Sequence, residues 1–442
     1  MAKGNGGQRT GMRWQVAALL MLLMGINYLD RSNLSIAAPT IQKQFGLDAV
    51  MLGYLLSAFG WTYTVLLPFA GVVLDRVGAR LLYTIAIVGW SLATFAVGFA
   101  SSFAGLLGCR VAVGAFESPA LPTNVRCVTS WFPAHERALA VGLYTAMQYA
   151  GPAFLTPVLA WILVSFGWKE IFYITGLAGF AAALIWYLLY RDPAQSHANQ
   201  AELSYIQQGG GSGAAKTQTG AALPFWDAAK ALLSHRQVWG MFIGQFSVQT
   251  TLFFFLTWFP AYLINGKHLT ILKGGFYAAI PFLAAMAGTM VAGKWSDSMV
   301  GRAQSAGRAR KLPIILGFLL SASIMGANYT NSIPVVLLFM SIAFFGQAMA
   351  STVTGALLSD IAPYALVGTL GGLLYFVANV GGTSAPIIVG YIVQNTGGYN
   401  LALVYVSIVA LAGVLSYLFL MGPVYRIEAA AAPSGAGGNA GL

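Results

Sequence analysis

The 442-residue chain buries five ionisable side chains well inside long apolar stretches: Asp30 and Arg31 in one, Arg110, Glu117 and Arg126 in another. A charge at the centre of a membrane-crossing helix costs about 2.5–3.5 kcal/mol on insertion scales, so such a residue is retained where it faces a polar cavity and meets a partner. Arg110 and Glu117 are seven residues apart, two helical turns. They therefore share one helix face, about 10 Å apart along the axis. A carboxyl group in a low-dielectric site holds its proton, and a neighbouring guanidinium loosens it. Movement of that cation would let Glu117 take or release a proton. The alternative is a fixed pair tying two helices together. Asp30 and Arg31 are adjacent, so they point about 100° apart and cannot face one spot. Arg31 is assigned to the central cavity, where its planar fork suits a carboxylate bound through two hydrogen bonds. Asp30 is assigned to the contact between the two charged segments, opposite Arg110, as a second protonatable group or as a structural counter-ion. Arg126 lies about five residues from its segment's end, where a long cationic side chain snorkels to the headgroups.

The elements that carry these residues follow from composition. Apolar residues make up 58% of the chain and charged residues 8%, with a mean hydropathy of +0.72. A soluble domain carries roughly 25% charged residues, so a water-soluble enzyme and a disordered chain are both excluded. The apolar stretches run to about 20 residues or more, the length of a spanning helix, and lack the alternation of a membrane barrel. Twelve such segments predict an all-α polytopic membrane protein, with six helices in 14–190 and six in 237–421. Residues 1–13 form a polar tail, 191–236 a linker containing the flexible composition Gln207 to Gly213, and 422–442 a tail expected to be disordered. Sixteen Lys and Arg fall on the side of the termini and linker, four on the other side and three inside helices. The positive-inside rule puts both termini in the cytoplasm. The net charge of +11 is then a matter of topology, and no nucleic-acid partner is expected. Cys109 and Cys127 lie 18 residues apart on one apparent segment, too far for a disulfide. The four histidines show no ligand-like spacing, so no metal is expected. Gly288 to Lys294 nearly spells a phosphate loop, but it lacks the Ser/Thr and follows no strand.

The halves repeat. Gly71 to Asp75 follows the second segment, and Gly293 to Asp297 follows the eighth with the same spacing, 222 residues later. Repeated halves with a site between them are common among secondary transporters. Gly71-Val-Val-Leu-Asp75-Arg76-Val-Gly78-Ala-Arg80 resembles the loop 2–3 signature of the major facilitator superfamily, with a degenerate copy at 293–311. Asn27-Tyr28-Leu29-Asp30-Arg31-Ser32-Asn33-Leu34-Ser35 and the stretch from Arg110 through Gly114, Glu117, Pro119 and Pro122 to Asn124 resemble its anion:cation symporter family. The flavour is that of bacterial galactonate, glucarate and hexuronate transporters.

The resemblance implies a major facilitator fold in a bacterial inner membrane and proton-coupled uptake of a small organic anion, with protons as the coupling ion and no cofactor. It implies that Asp30 and Glu117, with Arg110, couple protons and that Arg31 meets the anion. Tyr28, Tyr63, Gln148 and Asn379 are the neutral candidates for substrate hydroxyls, and the resemblance supports Tyr63, Gln148 and Asn379. It also implies that Asp75, Arg76, Arg80 and Asp297 tie the inner gate. A monomer is expected. The rivals are an exporter of drugs or aromatic acids on the same fold, which would not need Arg31, and a multi-spanning membrane enzyme, which would need a catalytic constellation that the loop histidines do not form.

Overall fold

A computed structural model describes residues 9–211, 225–301, 306–363 and 366–427, and among them the chain is helical without strands. The first half contains α1 (Met12–Phe45), α2 (Ala49–Val77), α3 (Ala79–Val97), α4 (Phe103–Glu117), α5 (Ala120–Trp131), α6 (Ala134–Phe166) and α7 (Trp168–Leu189). Two short helices follow, α8 (Gln200–Gln208) and α9 (Phe225–Leu233). The second half contains α10 (Arg236–Phe253), α11 (Phe259–Ala261), α12 (Ile271–Gly301), α13 (Ala306–Ala322), α14 (Ile333–Ile361), α15 (Val367–Thr396) and α16 (Asn400–Leu415). Among the described residues, eleven helices are long and apolar enough to cross a membrane.

The twelfth crossing is the fourth predicted segment, and it is not one helix. It breaks between α4 and α5 at Ser118 and Pro119. Proline removes a backbone N–H and clashes with the carbonyl one turn back. The Ser118 hydroxyl caps the Ala115 carbonyl at 2.9 Å, and the Thr123 hydroxyl caps Pro119 at 2.8 Å. Side-chain hydroxyls of this kind make such a break tolerable inside a bilayer. Glu117 is left as the last residue of α4.

A second departure lies beyond α10. The aromatic run Phe253 to Phe259 is wholly buried. Here the helix widens into π turns, Phe254–Trp258 and Tyr262–Gly266, on either side of α11. Phe255 stacks on Phe344 with ring centroids 4.1 Å apart, and the Trp258 indole donates to the Pro386 carbonyl at 3.0 Å.

The halves share one packing plan. In the first, α1 packs on α6, α2 on α4 and α3 on α7; in the second, α10 packs on α15, α12 on α14 and α13 on α16. Between the halves, α2 lies along α15 and α6 along α12. We call the face that carries residues 9 and 427 the terminal face. Near the opposite face the halves are joined: the Ala49 N–H donates to the Gln394 side chain at 3.1 Å, and the Tyr54 and Tyr391 hydroxyls meet at 3.4 Å. Here α2 and α15 touch backbone to backbone. A Cβ on Gly53 would sit 2.7 Å from the Pro386 carbonyl, and one on Gly390 would sit 2.6 Å from that of Ala49. Near the middle, the Tyr149 hydroxyl donates to Gln347 at 3.3 Å. Among the described residues no hydrogen bond joins the two halves on the terminal side of that one, and the second half's core on that side is separate from the core the halves share.

That face is more ordered than its composition suggests. The linker's first part docks as α8, capped by Asn199, whose side chain accepts from the Glu202 N–H at 3.0 Å. The Glu202 carboxylate is fully buried. It accepts from the backbone N–H groups of Met12 and Arg13 at 3.0 and 3.2 Å, from the Arg13 guanidinium at 3.1 Å, and from the Thr10 hydroxyl. It therefore supplies the cap that Gly11 cannot give to α1. Arg13 also pairs with Glu136 at 2.8 Å. The tail expected to be disordered from residue 422 is docked as far as Ile427, whose N–H donates to the Ile361 carbonyl at 2.9 Å.

Burial raises the Glu202 carboxyl's hold on its proton, but the hydrogen bonds from Thr10, Arg13 and Met12 outweigh this and leave its pKa below the ordinary value. Its stabilisation is therefore present above the usual carboxylate range and is lost as pH falls through the depressed value. Removing one partner of a buried charge cluster costs about 3–5 kcal/mol. Glu202→Ala should raise amide exchange across α8 by at least about 100-fold at neutral pH, read by hydrogen–deuterium exchange. The wild type should approach the variant's exchange as the pH is lowered.

Candidate functional site

The charged residues converge between α1 and α4. Arg31 lies about 28 Å along α1 from its start and about 21 Å from its end, near the middle of the bundle. Glu117 reaches it from the end of α4. One carboxylate oxygen of Glu117 accepts from the Arg31 Nε at 3.2 Å and from an Nη at 3.1 Å. Glu117 is fully buried and the Arg31 side chain is 11% exposed. Three rings surround the guanidinium, those of Phe59, Tyr28 and Tyr63, with centroids at 4.6, 4.7 and 5.3 Å. Cation–π contacts of this kind hold a desolvated cation by about 2 kcal/mol. Phe59 and Tyr63 stack on each other on one face of α2. The Thr62 hydroxyl anchors α2 to α4 through the Val111 carbonyl at 2.7 Å.

The pairing differs from the sequence-based expectation. Glu117 and Arg110 do share a buried face of α4, but the ion pair of Glu117 is with Arg31. Arg110 donates to the backbone carbonyl of Asp30 at 3.4 Å, not to its carboxylate. Asp30 forms no ion pair among the described residues. One of its carboxylate oxygens accepts from the Asn33 amide at 3.1 Å, and the other is buried without a partner. Asn33 also donates to the Thr175 hydroxyl of α7 at 2.7 Å, so Asp30 is oriented by a neutral clamp. The second oxygen of Glu117 is likewise unpartnered, with Asn27 buried beside it.

The neutral candidates lie on α1, α2, α6 and α15. Tyr28 donates to Gln148 on α6 at 3.3 Å. In the second half, the Asn379 amide turns onto its own helix and donates to the Tyr375 carbonyl at 2.9 Å. The half-exposed Tyr375 lies in the neighbourhood of Tyr28 and Tyr144 of the other half. Tyr375, Tyr149 and Gln347 were not singled out from sequence. The four-residue step from Tyr375 to Asn379 puts both on one helix face, a signal that would have found the first.

Of the expected gate residues, Asp75 and Arg80 make their contacts within the first half. Asp75 pairs with Arg126 at 3.1 Å, and Arg126 also donates to the Leu74 carbonyl at 3.2 Å. Arg126 thus joins the loop-end cluster and is not merely a snorkelling cation. Arg80 donates twice to the Tyr187 carbonyl, at 3.0 and 2.7 Å, with its guanidinium over the Tyr187 ring. Arg76 is exposed and meets no acid among the described residues. Asp297 lies on α12, but its side chain falls outside the described residues.

Two repeated helical halves with ionisable groups at mid-depth are the plan of a membrane transporter, and the family and relatives of this chain are transporters and not enzymes. The model of the Major Facilitator Superfamily matches residues 20–309, and the chain belongs to that superfamily. It is 46% identical to the D-galactonate transporter of Escherichia coli O6:H1, over 94% of this chain and 97% of that one. It is 39% identical to the "Probable galactarate/D-glucarate transporter" of Bacillus subtilis, over 95% and 94%. Among solved structures, a bacterial homolog of the human lysosomal transporter Spinster, inward-facing and unoccupied, superposes with a TM-score of 0.70 at 20% identity, covering 93% of this chain and 95% of that one. It shares the fold.

The Tyr149–Gln347 hydrogen bond joins the halves at mid-depth. A neutral hydrogen bond contributes about 1 kcal/mol. Tyr149→Phe should therefore shift the population away from the present conformer by about fivefold. Double electron–electron resonance between labels at the opposite-face ends of α2 and α15 would measure the shift.

Proposed function

We propose that the protein is a proton-coupled symporter that takes up a sugar acid of the galactonate or glucarate class by alternating access. It acts as a monomer in a bacterial inner membrane with both termini cytoplasmic. In that orientation the terminal face is the cytoplasmic one, and the conformer described is open inward.

The observation that carries the reading is the occupation of Arg31 by Glu117. Arg31 is the best-placed cation for a substrate carboxylate, and in this conformer its Nε and an Nη are spent on Glu117. Substrate carboxylate and Glu117 carboxylate compete for one fork. A proton on Glu117 removes its charge and frees Arg31 for the anion. Departure of the anion lets Arg31 return and expel the proton. Asp30, oriented by Asn33 without an ion-pair partner, is the second proton site. Gln148, Tyr28, Tyr63 and Asn379 offer donors and acceptors to sugar hydroxyls. Two protons carried with one monoanion move net positive charge inward, a gain of about 2.3 kcal/mol per 100 mV. The names of the relatives support the sugar-acid class.

Proteoliposomes test the coupling. Glu117→Gln should still exchange galactonate across the membrane but fail to accumulate it under an imposed pH gradient. Arg31→Ala should lose both activities. Unchanged accumulation by Glu117→Gln removes it from the proton path. Transport of apolar drugs that survives Arg31→Ala would favour the exporter reading.

A further inference from the structure

On the terminal face, where α13 begins and α16 ends, a groove of about 640 Å³ lies outside the transport cleft. Its floor is apolar, built from Met299, Leu312, Ile315 and Leu418, and its rim carries Arg308 and Lys311. Leu312 and Leu418 are each half-exposed, and Leu316 and Phe419 beside them also face outward. On a membrane-spanning bundle, outward apolar side chains of this kind meet acyl chains. The basic rim lies at the helix ends, at headgroup level.

The rim is built around one glycine. The chain leaves α16 through a π turn and reverses at Gly422, with φ of +63°. The Lys311 ammonium donates to the Gly422 carbonyl. The Arg236 guanidinium also lies against Gly422, in space that a Cβ would need. Two cations therefore converge on one turn, and neither has a carboxylate partner among the described residues. The nearby acid Asp360 is held by Arg310 at 2.8 Å. Like charges gathered without a counter-ion repel, and an anion at the rim would relieve them. Basic pockets between spanning helices are the pattern that recognises anionic lipid headgroups.

We propose that this groove binds an anionic phospholipid. Its phosphate sits between Lys311 and Arg236, and an acyl chain lies along Leu312, Ile315 and Leu418. The site is independent of the transport cleft and of the coupling reading.

The test is native mass spectrometry of the full chain in detergent, titrated with phosphatidylglycerol or phosphatidylcholine. The wild type should retain phosphatidylglycerol in preference to phosphatidylcholine. Arg236→Ala combined with Lys311→Ala should weaken phosphatidylglycerol by about 25-fold, about fivefold for each basic residue. Ile315→Trp, which fills the groove and leaves the charges in place, should also displace it. Equal retention of the two lipids by the wild type overturns the proposal. So does unchanged phosphatidylglycerol binding in the double variant when its melting profile in lipid-free detergent matches the wild type. Should the double variant melt early, the Ile315→Trp result decides: displacement supports the groove and unchanged binding overturns it.

Discussion

An ion pair buried near the middle of an apolar bundle constrains everything around it. Desolvating Arg31 and Glu117 is repaid only if their geometry is tight and their remaining polar atoms are cared for. The structure meets the first condition with two hydrogen bonds to one oxygen and with three aromatic rings around the guanidinium. It leaves the second open, since the other carboxylate oxygen of Glu117 is unpartnered. A fully satisfied pair would be a structural rivet. A pair with one carboxylate oxygen unpartnered among the described residues is held less completely than that.

Several features exist to deliver that pair. The break at Ser118 and Pro119 ends α4 at Glu117, so the carboxylate hangs from a helix terminus and not from a continuous helix. Asp30 and Arg31, adjacent in sequence, are divided between two environments by the helical rotation between them. One meets the neutral Asn33–Thr175 clamp on the α7 side, the other the acid and the rings. Placing all four ionisable groups in α1 and α4 leaves the second half to supply uncharged donors and acceptors such as Asn379 and Gln347. The buried ionisable cluster thereby belongs wholly to the first half.

Much of this was legible in the sequence for physical reasons. Charges are so costly in hydrocarbon that Asp30, Arg31, Arg110 and Glu117 announce themselves, and the 222-residue repeat of Gly71 to Asp75 at Gly293 to Asp297 announces two halves. Partner choice was not legible. Helical spacing puts Arg110 and Glu117 on one face, but whether Glu117 turns to Arg110 or to Arg31 depends on the crossing of α1 and α4, a tertiary quantity. The same holds for Arg126, whose distance from a helix end suggested snorkelling until the end of α2 brought Asp75 to it. Asn33 and Thr175, 142 residues apart, carry no pairwise signal in one sequence. The docking of α8 was hidden because its glycine-rich flank reads as a flexible spacer, whereas Glu202 is specified by α1's missing cap.

The contact between α2 and α15 has a mechanical meaning. At Gly53 and Gly390 two backbones meet without side chains between them. Interlocked side chains act like gear teeth and resist rotation, since turning one helix past another drags each knob out of its hole. A glycine crossing has no teeth. Its attraction is dispersion between smooth surfaces, nearly unchanged over a few degrees of roll. The crossing therefore works as a bearing. It keeps the two helices in contact while offering little resistance to a small roll of one on the other.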